Sequence, residues 1–219
     1  MPALFALAQH DALVEADGNL MPSERILSFL DDIYVVTTKE RAKTAFDEVS
    51  SCIQRQAGVR PHLGKLRAWS RRGGAAPPDL AAFDKDIWVA DRPAHENGIV
   101  ALGTLLVSPE FVQAHAAKRM EKEQHLLTQI CKLPDPQHAW VMLSQSAVPR
   151  ANNIVRILPP ALSRAYATAH DDAVWHTFCT ILGATHLEQD SAARKVASMP
   201  GRYGGLGLRD ARRTAAAAH

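Results

Sequence analysis

The chain has 219 residues and a formal net charge of only +2, so its overall charge makes no case for a nucleic-acid partner. With 47% hydrophobic and 22% charged residues, it has the composition of an ordinary globular protein that can bury a core. Its three cysteines, Cys52, Cys131 and Cys179, are odd in number and far apart, which argues against a disulfide framework or a structural zinc site.

No stretch of the sequence reaches the length of a membrane-spanning helix, and the apolar opening lacks a basic leader. We therefore expect a soluble, intracellular protein without membrane or disulfide partners. The sequence does not distinguish the nucleus from the cytoplasm.

The first predicted element is a helix from Ala3 to about Ala16. Two short runs follow, residues 26–30 and 33–36, and both have the apolar and β-branched residues that favour strands. Asp31 and Asp32 separate these runs. They are predicted to occupy the turn of a tight hairpin, from which both carboxylates would project at one point.

Folding alone explains the Asp31-Asp32 pair poorly. A two-residue turn is better served by Asn-Gly or Asp-Gly. Two carboxylates ~5 Å apart repel by roughly 3 kcal/mol at an effective dielectric constant of ~20, and by under about 1 kcal/mol if they are fully wetted. A divalent cation would turn this repulsion into binding, and Mg²⁺ prefers oxygen ligands of this kind. The sequence therefore predicts a metal site, with a solvated acidic turn as the alternative.

A second pair, Asp171-Asp172, has no β-branched strand on either side. The residues around this pair have the spacing of a helix, so we predict that the pair lies on an exposed helix face and has no catalytic or metal-binding function. The nearby His170 and His176 lack the i,i+3 or i,i+4 spacing of metal ligands, which argues against a zinc site.

The segment after the hairpin is predicted to form a helix from Lys39 to about Gln56, with Thr38 as a candidate N-cap and Gly58 after its end. An extended segment is predicted over residues 59–69, and it contains Gly64-Lys65. A further apolar run, residues 99–107, is interrupted by Gly103 and ended by Ser108-Pro109.

Ser108 and Pro109 are a strong start signal for a helix to about Lys132. This helix carries Lys118, Arg119 and Lys122, which could follow a phosphate backbone. The interleaved acids Glu121 and Glu123 favour the alternative of a solvated helix face.

The rest of the chain is predicted to be helical. The glycine-rich segment, residues 204–207, follows no convincing strand and precedes no long helix, which argues against a nucleotide-binding loop. We therefore predict an α+β fold, with a mixed region over residues 1–108 and a helical region over residues 109–219.

Several motifs together resemble the carboxy-terminal part of a reverse transcriptase of the non-LTR retrotransposon type, in the order that the family has them. Met1-Pro2-Ala3-Leu4-Phe5 is similar to the end of the palm motif Gln-Gly-x-Pro-x-x-Pro-x-Leu-Phe. Phe29-Leu30-Asp31-Asp32 resembles the aromatic-x-Asp-Asp metal-binding hairpin, with Phe where Tyr is commoner.

Gly64-Lys65 is similar to the motif whose lysine approaches the nucleotide phosphates. Leu102-Gly103-Thr104 is similar to the turn that supports the primer strand, although Val107 stands where a second glycine is frequent. Val148-Pro149-Arg150 and residues 204–208 resemble segments downstream of the polymerase domain.

The resemblance implies a partial palm over residues 1–108, with a β-hairpin, a helix, a strand and a thumb-junction hairpin, followed by a helical thumb and downstream region. It implies a fragment of an RNA-directed DNA polymerase that uses two-metal nucleotidyl transfer. Asp31 would be the main ligand of Mg²⁺, or of Mn²⁺, and Asp32 a secondary one. Lys65 would neutralise or protonate the departing pyrophosphate; a solvent-facing lysine is its alternative.

The partners that the resemblance implies are an RNA or DNA template-primer and deoxynucleotides. The nucleic-acid contacts would come from Leu102 and Gly103 at the thumb junction and from Lys118, Arg119 and Lys122 in the thumb.

The family's first catalytic aspartate and its fingers precede the Gln-Gly-x-Pro motif, and so they would lie before residue 1. We therefore expect the chain alone to be inactive as a polymerase. The alternative is a non-catalytic retroelement remnant whose helical half serves as a binding or scaffolding module.

Overall fold

The computed structural model describes residues 2–84 and 86–218, and the chain divides into two compact units, residues 1–102 and 103–219. Helices dominate, and the described strands form two small two-stranded hairpins. The predicted α+β class is confirmed. The palm and thumb identities of the two regions stay predictions.

The first unit packs its hairpin and two helices around one apolar core. Its elements are α1 (Pro2–Asn19), β1 (Arg25–Phe29), β2 (Asp32–Val36), α2 (Ala42–Ala57), α3 (Pro78–Phe83) and β3 (Gly98–Ala101). Ala12 and Ala16 of α1 are fully buried against Ala45 and Val49 of α2, because small side chains allow two helices to approach closely. The helix predicted from Ala3 is confirmed as α1; Met1 of the opening motif lies outside the described residues.

The two strands of the first hairpin are antiparallel, and Phe29 is paired with Asp32. Successive side chains of a strand point to opposite faces. One face carries Ile26, Ile33 and Val35, which pack on the core of the unit. The other face carries the apolar side chains Leu27, Phe29 and Val36, all exposed, together with Asp32 and Tyr34.

The helix predicted from Lys39 is confirmed in its main part. A 3₁₀ turn, Lys39–Arg41, leads into α2, which ends where Gly58 adopts a left-handed φ of +68°. Thr38 takes the position before the turn, but its side chain makes no capping hydrogen bond.

The strand predicted over residues 59–69 is wrong. Leu63–Lys65 form a 3₁₀ turn instead, and the only strand-like pairing in this described segment is an isolated parallel bridge between Ala68 and Trp88. Pro61 cannot donate to a strand ladder and Gly64 favours a turn, so the β-branched content of the segment is too low to overcome them.

The second unit is helical after its one strand. Its elements are β4 (Thr104–Val107), α4 (Pro109–Ile130), α5 (Pro136–Met142), α6 (Ala151–Ile157), α7 (Pro160–Ile181), α8 (Ser191–Ser198) and α9 (Ala211–Ala217). The predicted start of α4 is confirmed, since the Ser108 side chain accepts a hydrogen bond from the backbone N–H of Phe111. A π turn, Leu143–Ala147, and a 3₁₀ turn, Val148–Arg150, connect α5 to α6.

The glycines after α8 have a structural function. Gly204 and Gly207 adopt left-handed φ values of +80° and +70°, and a Cβ on Gly205 would lie 2.0 Å from the carbonyl oxygen of Met199. This close approach lets Gly207 donate its N–H to the same oxygen at 2.8 Å. The segment folds back on the end of α8, and the backbone alone requires its glycines.

None of the described helices combines the length and the apolar character needed to cross a membrane. Cys52, Cys131 and Cys179 are free thiols, and Cys52 and Cys179 are buried.

Candidate functional site

The turn of the first hairpin consists of Leu30 and Asp31, and Asp32 is the first residue of β2. The two predicted strands are confirmed, although only one of the two acids lies in the turn itself. Both acids are exposed. Their carboxylates make no hydrogen bond or ion pair in the part of the chain that the structure describes, so they remain accessible to a ligand.

The backbone of this turn is strained. Leu30 has a φ of +58°, in the left-handed region. For a residue with a Cβ this conformation costs roughly 1–2 kcal/mol, and a turn of this kind normally uses Gly. Such strain persists only where the surrounding structure enforces it, and it is concentrated at functional sites. The tight hairpin itself requires a positive φ at this position, and the use of leucine in place of glycine is the feature that hairpin geometry leaves unexplained.

Glu24 fixes the base of the hairpin to α2. Its buried carboxylate accepts hydrogen bonds from Nε and Nη2 of Arg41 at 3.0 and 3.1 Å, from the Thr37 hydroxyl at 2.5 Å and from the backbone N–H of Met21 at 2.9 Å. The Arg41 guanidinium outweighs the effect of burial and, with Thr37 and Met21, lowers the pKa of Glu24 to about 2. The acid is ionised and fully bonded, which gives the strained turn a rigid support.

The first hairpin is also joined to Leu102, in the turn after β3. The backbone N–H of Leu102 donates to the hydroxyl oxygen of Tyr34 at 3.1 Å. Tyr34 follows Asp32 by two residues on β2 and lies on the same face of the hairpin. Leu102, like Leu30, has a left-handed φ, of +51°, and Gly103 after it has a φ of +79°. The first unit thus brings Leu102 and the acidic hairpin together.

Lys65 is exposed at the end of a 3₁₀ turn, where its backbone N–H donates to the carbonyl oxygen of His62 at 2.9 Å. Among the described residues, no hydrogen bond or ion pair joins its side chain to Asp31 or Asp32. Its predicted function at the phosphates stays a prediction.

A basic segment surrounds Lys65, and none of the sequence motifs indicates it. No Asp or Glu lies between Glu48 and Asp79, and the basic residues of this interval are all exposed: Arg55, Arg60, Lys65, Arg67, Arg71 and Arg72. Arg55 is paired with Glu15, and the other five make no ion pair in the described part of the chain. Since the net charge is +2, the remaining chain is net acidic. A local charge count would have found this segregation.

The three basic residues predicted as thumb contacts differ in what they touch. Lys118 and Lys122 are exposed and lie one turn apart on α4. Arg119 is engaged inside the unit, because its Nε lies 3.2 Å from Oε1 of Glu123 and its Nη2 donates to the carbonyl oxygen of Arg150 at 2.7 Å. Glu123 is buried, so the prediction of a solvated face is wrong at this position.

Glu123 is the centre of a buried polar network between α4 and α7. Tyr166 donates its hydroxyl to Oε1 at 2.7 Å, and Nδ1 of His170 lies 2.9 Å from Oε2. Burial opposes ionisation of Glu123, but the bonds from His170 and Tyr166 outweigh it and lower its pKa. Burial and the neighbouring carboxylate raise the pKa of Tyr166. The network holds an ionised carboxylate inside a helical core.

The prediction for Asp171 is wrong as well. The pair is helical, as expected, but Asp171 is buried and accepts hydrogen bonds from the backbone N–H groups of Ala211 and Arg212 at 2.7 and 3.2 Å. Burial, together with a hydrogen bond to Asp210, raises the pKa of Asp171 to about 6. Asp172 is exposed and pairs with Arg194 at 2.8 Å. Sequence periodicity could not find the long-range partner that buries Asp171.

A cavity of about 250 Å³ lies between α7, α8 and the start of α9. Val174, Trp175 and Leu208 form its apolar wall, and Arg194, Lys195, Arg209 and Arg212 are its basic residues. Asp171 and Asp210 also line it. No motif pointed to this cavity, because its residues come from three separate segments.

Asp31 and Asp32 supply some of the ligands that a magnesium ion needs, but not all of them. Mg²⁺ is usually held by one or two carboxylates, with water and substrate phosphates completing the octahedron. The described residues contain no cluster of three or more His, Cys, Asp or Glu side chains able to hold a metal. The chain therefore offers two adjacent, exposed carboxylates, which are fewer ligands than a two-metal site needs.

No family model matches this chain, and neither a curated protein nor a solved structure matches it significantly.

Proposed function

We propose that this chain is the carboxy-terminal part of an RNA-directed DNA polymerase of the non-LTR retrotransposon type, with Asp31 and Asp32 in the metal-binding hairpin of its palm. The observation that carries the proposal is a pair of strained turns. Leu30 directly precedes Asp31, Leu102 directly precedes Gly103, and both leucines are left-handed. Both turns lie within sequence motifs that resemble those of this family.

The contact between Tyr34 and Leu102 supports the proposal further. A polymerase must hold the primer terminus beside its metal ligands, because in-line attack requires fixed geometry. The hydroxyl of Tyr34 ties Leu102 to the strand that begins with Asp32. Each leucine begins a two-residue hairpin turn that requires a positive φ, and glycine would meet this requirement without strain; positioning of the neighbouring groups is our explanation for leucine at both places.

In this proposal each group has one function. Asp31 and Asp32 hold Mg²⁺, which supplies stabilisation of negative charge on phosphate oxygens when bound. The turn at Leu102 presents its backbone to the primer strand. The basic segment of residues 49–78 attracts the phosphate backbone, and Lys65 in that segment neutralises or protonates the leaving pyrophosphate.

Metal binding can be tested on the chain as it is. Titration with Mn²⁺, followed by NMR line broadening, should broaden the amides of residues 30–33 first. Asp31→Asn should weaken binding at least tenfold and Asp32→Asn less, because Asp31 is the main ligand. Asp91→Asn removes an exposed acid of the same unit and should leave the affinity unchanged. Equal broadening at Asp31 and Asp91 would contradict a metal site.

The polymerase assignment has its own test. The coding sequence upstream of codon 1 should contain an in-frame Gln-Gly-x-Pro motif and, before it, an aspartate on a predicted strand; a stop codon there would contradict the proposal. The chain alone should show no primer extension on an RNA template. When the upstream segment is joined to it, extension should appear, and Asp31→Asn should abolish extension without weakening template-primer binding.

A further inference from the structure

The cavity between α7, α8 and α9 has more cationic than anionic lining groups. Arg194 and Lys195 come from α8, Arg209 precedes α9, and Arg212 lies on it. The acidic lining residues are Asp171 and Asp210, so four cationic side chains face two acidic ones. The lining therefore carries a net positive charge.

The cations differ in how far they are already satisfied. Arg212 lies 3.3 Å from a carboxylate oxygen of Asp171 and 3.3 Å from one of Asp210. Lys195 and Arg209 are exposed and form no ion pair with any described residue. These two charges are available to a ligand.

Arg194 gives a second, independent sign of a missing partner. Its Nη1 donates to Asp172 at 2.8 Å, but its Nη2 is buried without a hydrogen-bond partner in the described part of the chain. A buried donor without a partner is destabilising, and the great majority of buried donors in folded proteins have one. Arg194 also lines the cavity, and a guanidinium fork matches the oxygens of a phosphate well.

We propose that this cavity binds a phosphate group, with Arg194, Lys195 and Arg209 as its ligands. The apolar wall of Val174, Trp175 and Leu208 suits the carbon skeleton that carries the phosphate. A volume of about 250 Å³ lies just below the usual range for ligand pockets. It holds one phosphate with a sugar-sized group, supplied by a free phosphomonoester or by one residue of a polynucleotide chain.

This inference does not depend on the polymerase proposal. Every residue that carries it belongs to the second unit, whereas Asp31, Asp32, Tyr34 and Leu102 belong to the first. A failed metal titration would leave the phosphate site untouched, and the reverse also holds.

The test is an NMR titration of the whole chain with inorganic phosphate, ribose 5-phosphate and a short single-stranded oligonucleotide. Saturable shifts of the amides in residues 191–198 and 208–212 are expected. Tighter binding of ribose 5-phosphate than of the oligonucleotide identifies a small-molecule source, and the opposite order identifies a nucleic-acid chain. The absence of saturable shifts with all three probes would overturn the proposal.

Two variants locate the site. Lys195→Ala combined with Arg209→Ala should weaken binding at least tenfold. Arg156→Ala combined with Arg164→Ala changes the net charge equally at exposed positions outside the cavity and should have no effect. Arg194→Lys keeps the charge beside Asp172 but removes Nη2, and it should weaken binding at least threefold. Equal losses in the cavity variant and its control would reduce the effect to general electrostatics and refute the site.

Discussion

The two adjacent aspartate pairs of this chain differ in what surrounds them. Asp31 and Asp32 are exposed beside a strained leucine, and no described side chain or backbone group compensates their carboxylates. Asp171 is buried, and two backbone N–H groups and Arg212 bind it. A buried acid that neighbouring donors bind takes part in the packing of the fold, whereas an exposed pair without described partners, on a strained turn, is free to bind a ligand.

The comparison predicts that substitutions of buried, hydrogen-bonded acids change stability the most. The largest effect should come from Glu123→Gln, because this substitution removes a buried charge that His170, Tyr166 and Arg119 bind. Breaking such a buried set should cost roughly 3 kcal/mol. Hydrogen exchange of α4 and α7 measures the loss. Glu121→Gln, on the exposed side of α4, should change stability by less than about 0.5 kcal/mol; an equal loss in both variants would contradict the network.

Glu24→Gln should have the next largest effect, roughly 2 kcal/mol at neutral pH, since Arg41 would lose its main carboxylate partner. The folded-state pKa of about 2 lies below the ordinary value of 4.5, so the contribution of Glu24 is present above pH 4.5 and is lost as the pH falls toward 2. Hydrogen exchange in the hairpin should therefore show that the stability lost in Glu24→Gln becomes smaller as the pH is lowered. Glu40→Gln is the exposed control, and a cost independent of pH would contradict this assignment.

Asp171→Asn compares the two aspartate pairs directly. The pKa of Asp171 is raised from 3.8 to about 6, so its stabilisation is present below pH 3.8 and is lost as the pH rises through 6. The bonds of Asp210 lower its pKa, so its contribution disappears only in stronger acid. Urea denaturation should show a cost for Asp171→Asn of about 1 kcal/mol near pH 4, and a smaller cost at pH 7.

The matched substitution in the other pair is Asp31→Asn. It should change stability by less than about 0.5 kcal/mol at both pH values, because no described group compensates that carboxylate. A large loss in Asp31→Asn, or a cost of Asp171→Asn that grows with pH, would break the comparison.

Sequence patterns predicted the elements whose causes are local. The strands around Asp31, the cap at Ser108 and the left-handed end at Gly58 depend on residues within a few positions of each other. The errors have distant causes: Asp171 is buried by backbone groups forty residues away in the chain, and Glu123 by residues on α7. The strand predicted at Lys65 is wrong because Pro61 and Gly64 favour the turn that the structure has there.

The candidate site was only half predictable for the same reason. The acids and the Leu102-Gly103 turn are visible as motifs, but the strain at Leu30 and the bond from Leu102 to Tyr34 are conformational facts. The basic segment around Lys65 can be recognised in the sequence because it contains no Asp or Glu, but it matches none of the motifs.

A further pair of substitutions tests the strain itself. Leu30→Ala and Leu30→Gly both remove the half-buried side chain, but only glycine adopts a φ of +58° without cost. Glycine should therefore be more stable than alanine at this position by about 0.5–1 kcal/mol. At Ser28, in the extended part of β1, the order should be the usual one, with alanine the more stable. Urea denaturation of the four variants gives both differences. Alanine ahead of glycine at both positions would show that the turn is unstrained, and the strongest reason for assigning Asp31 a function beyond folding would be lost.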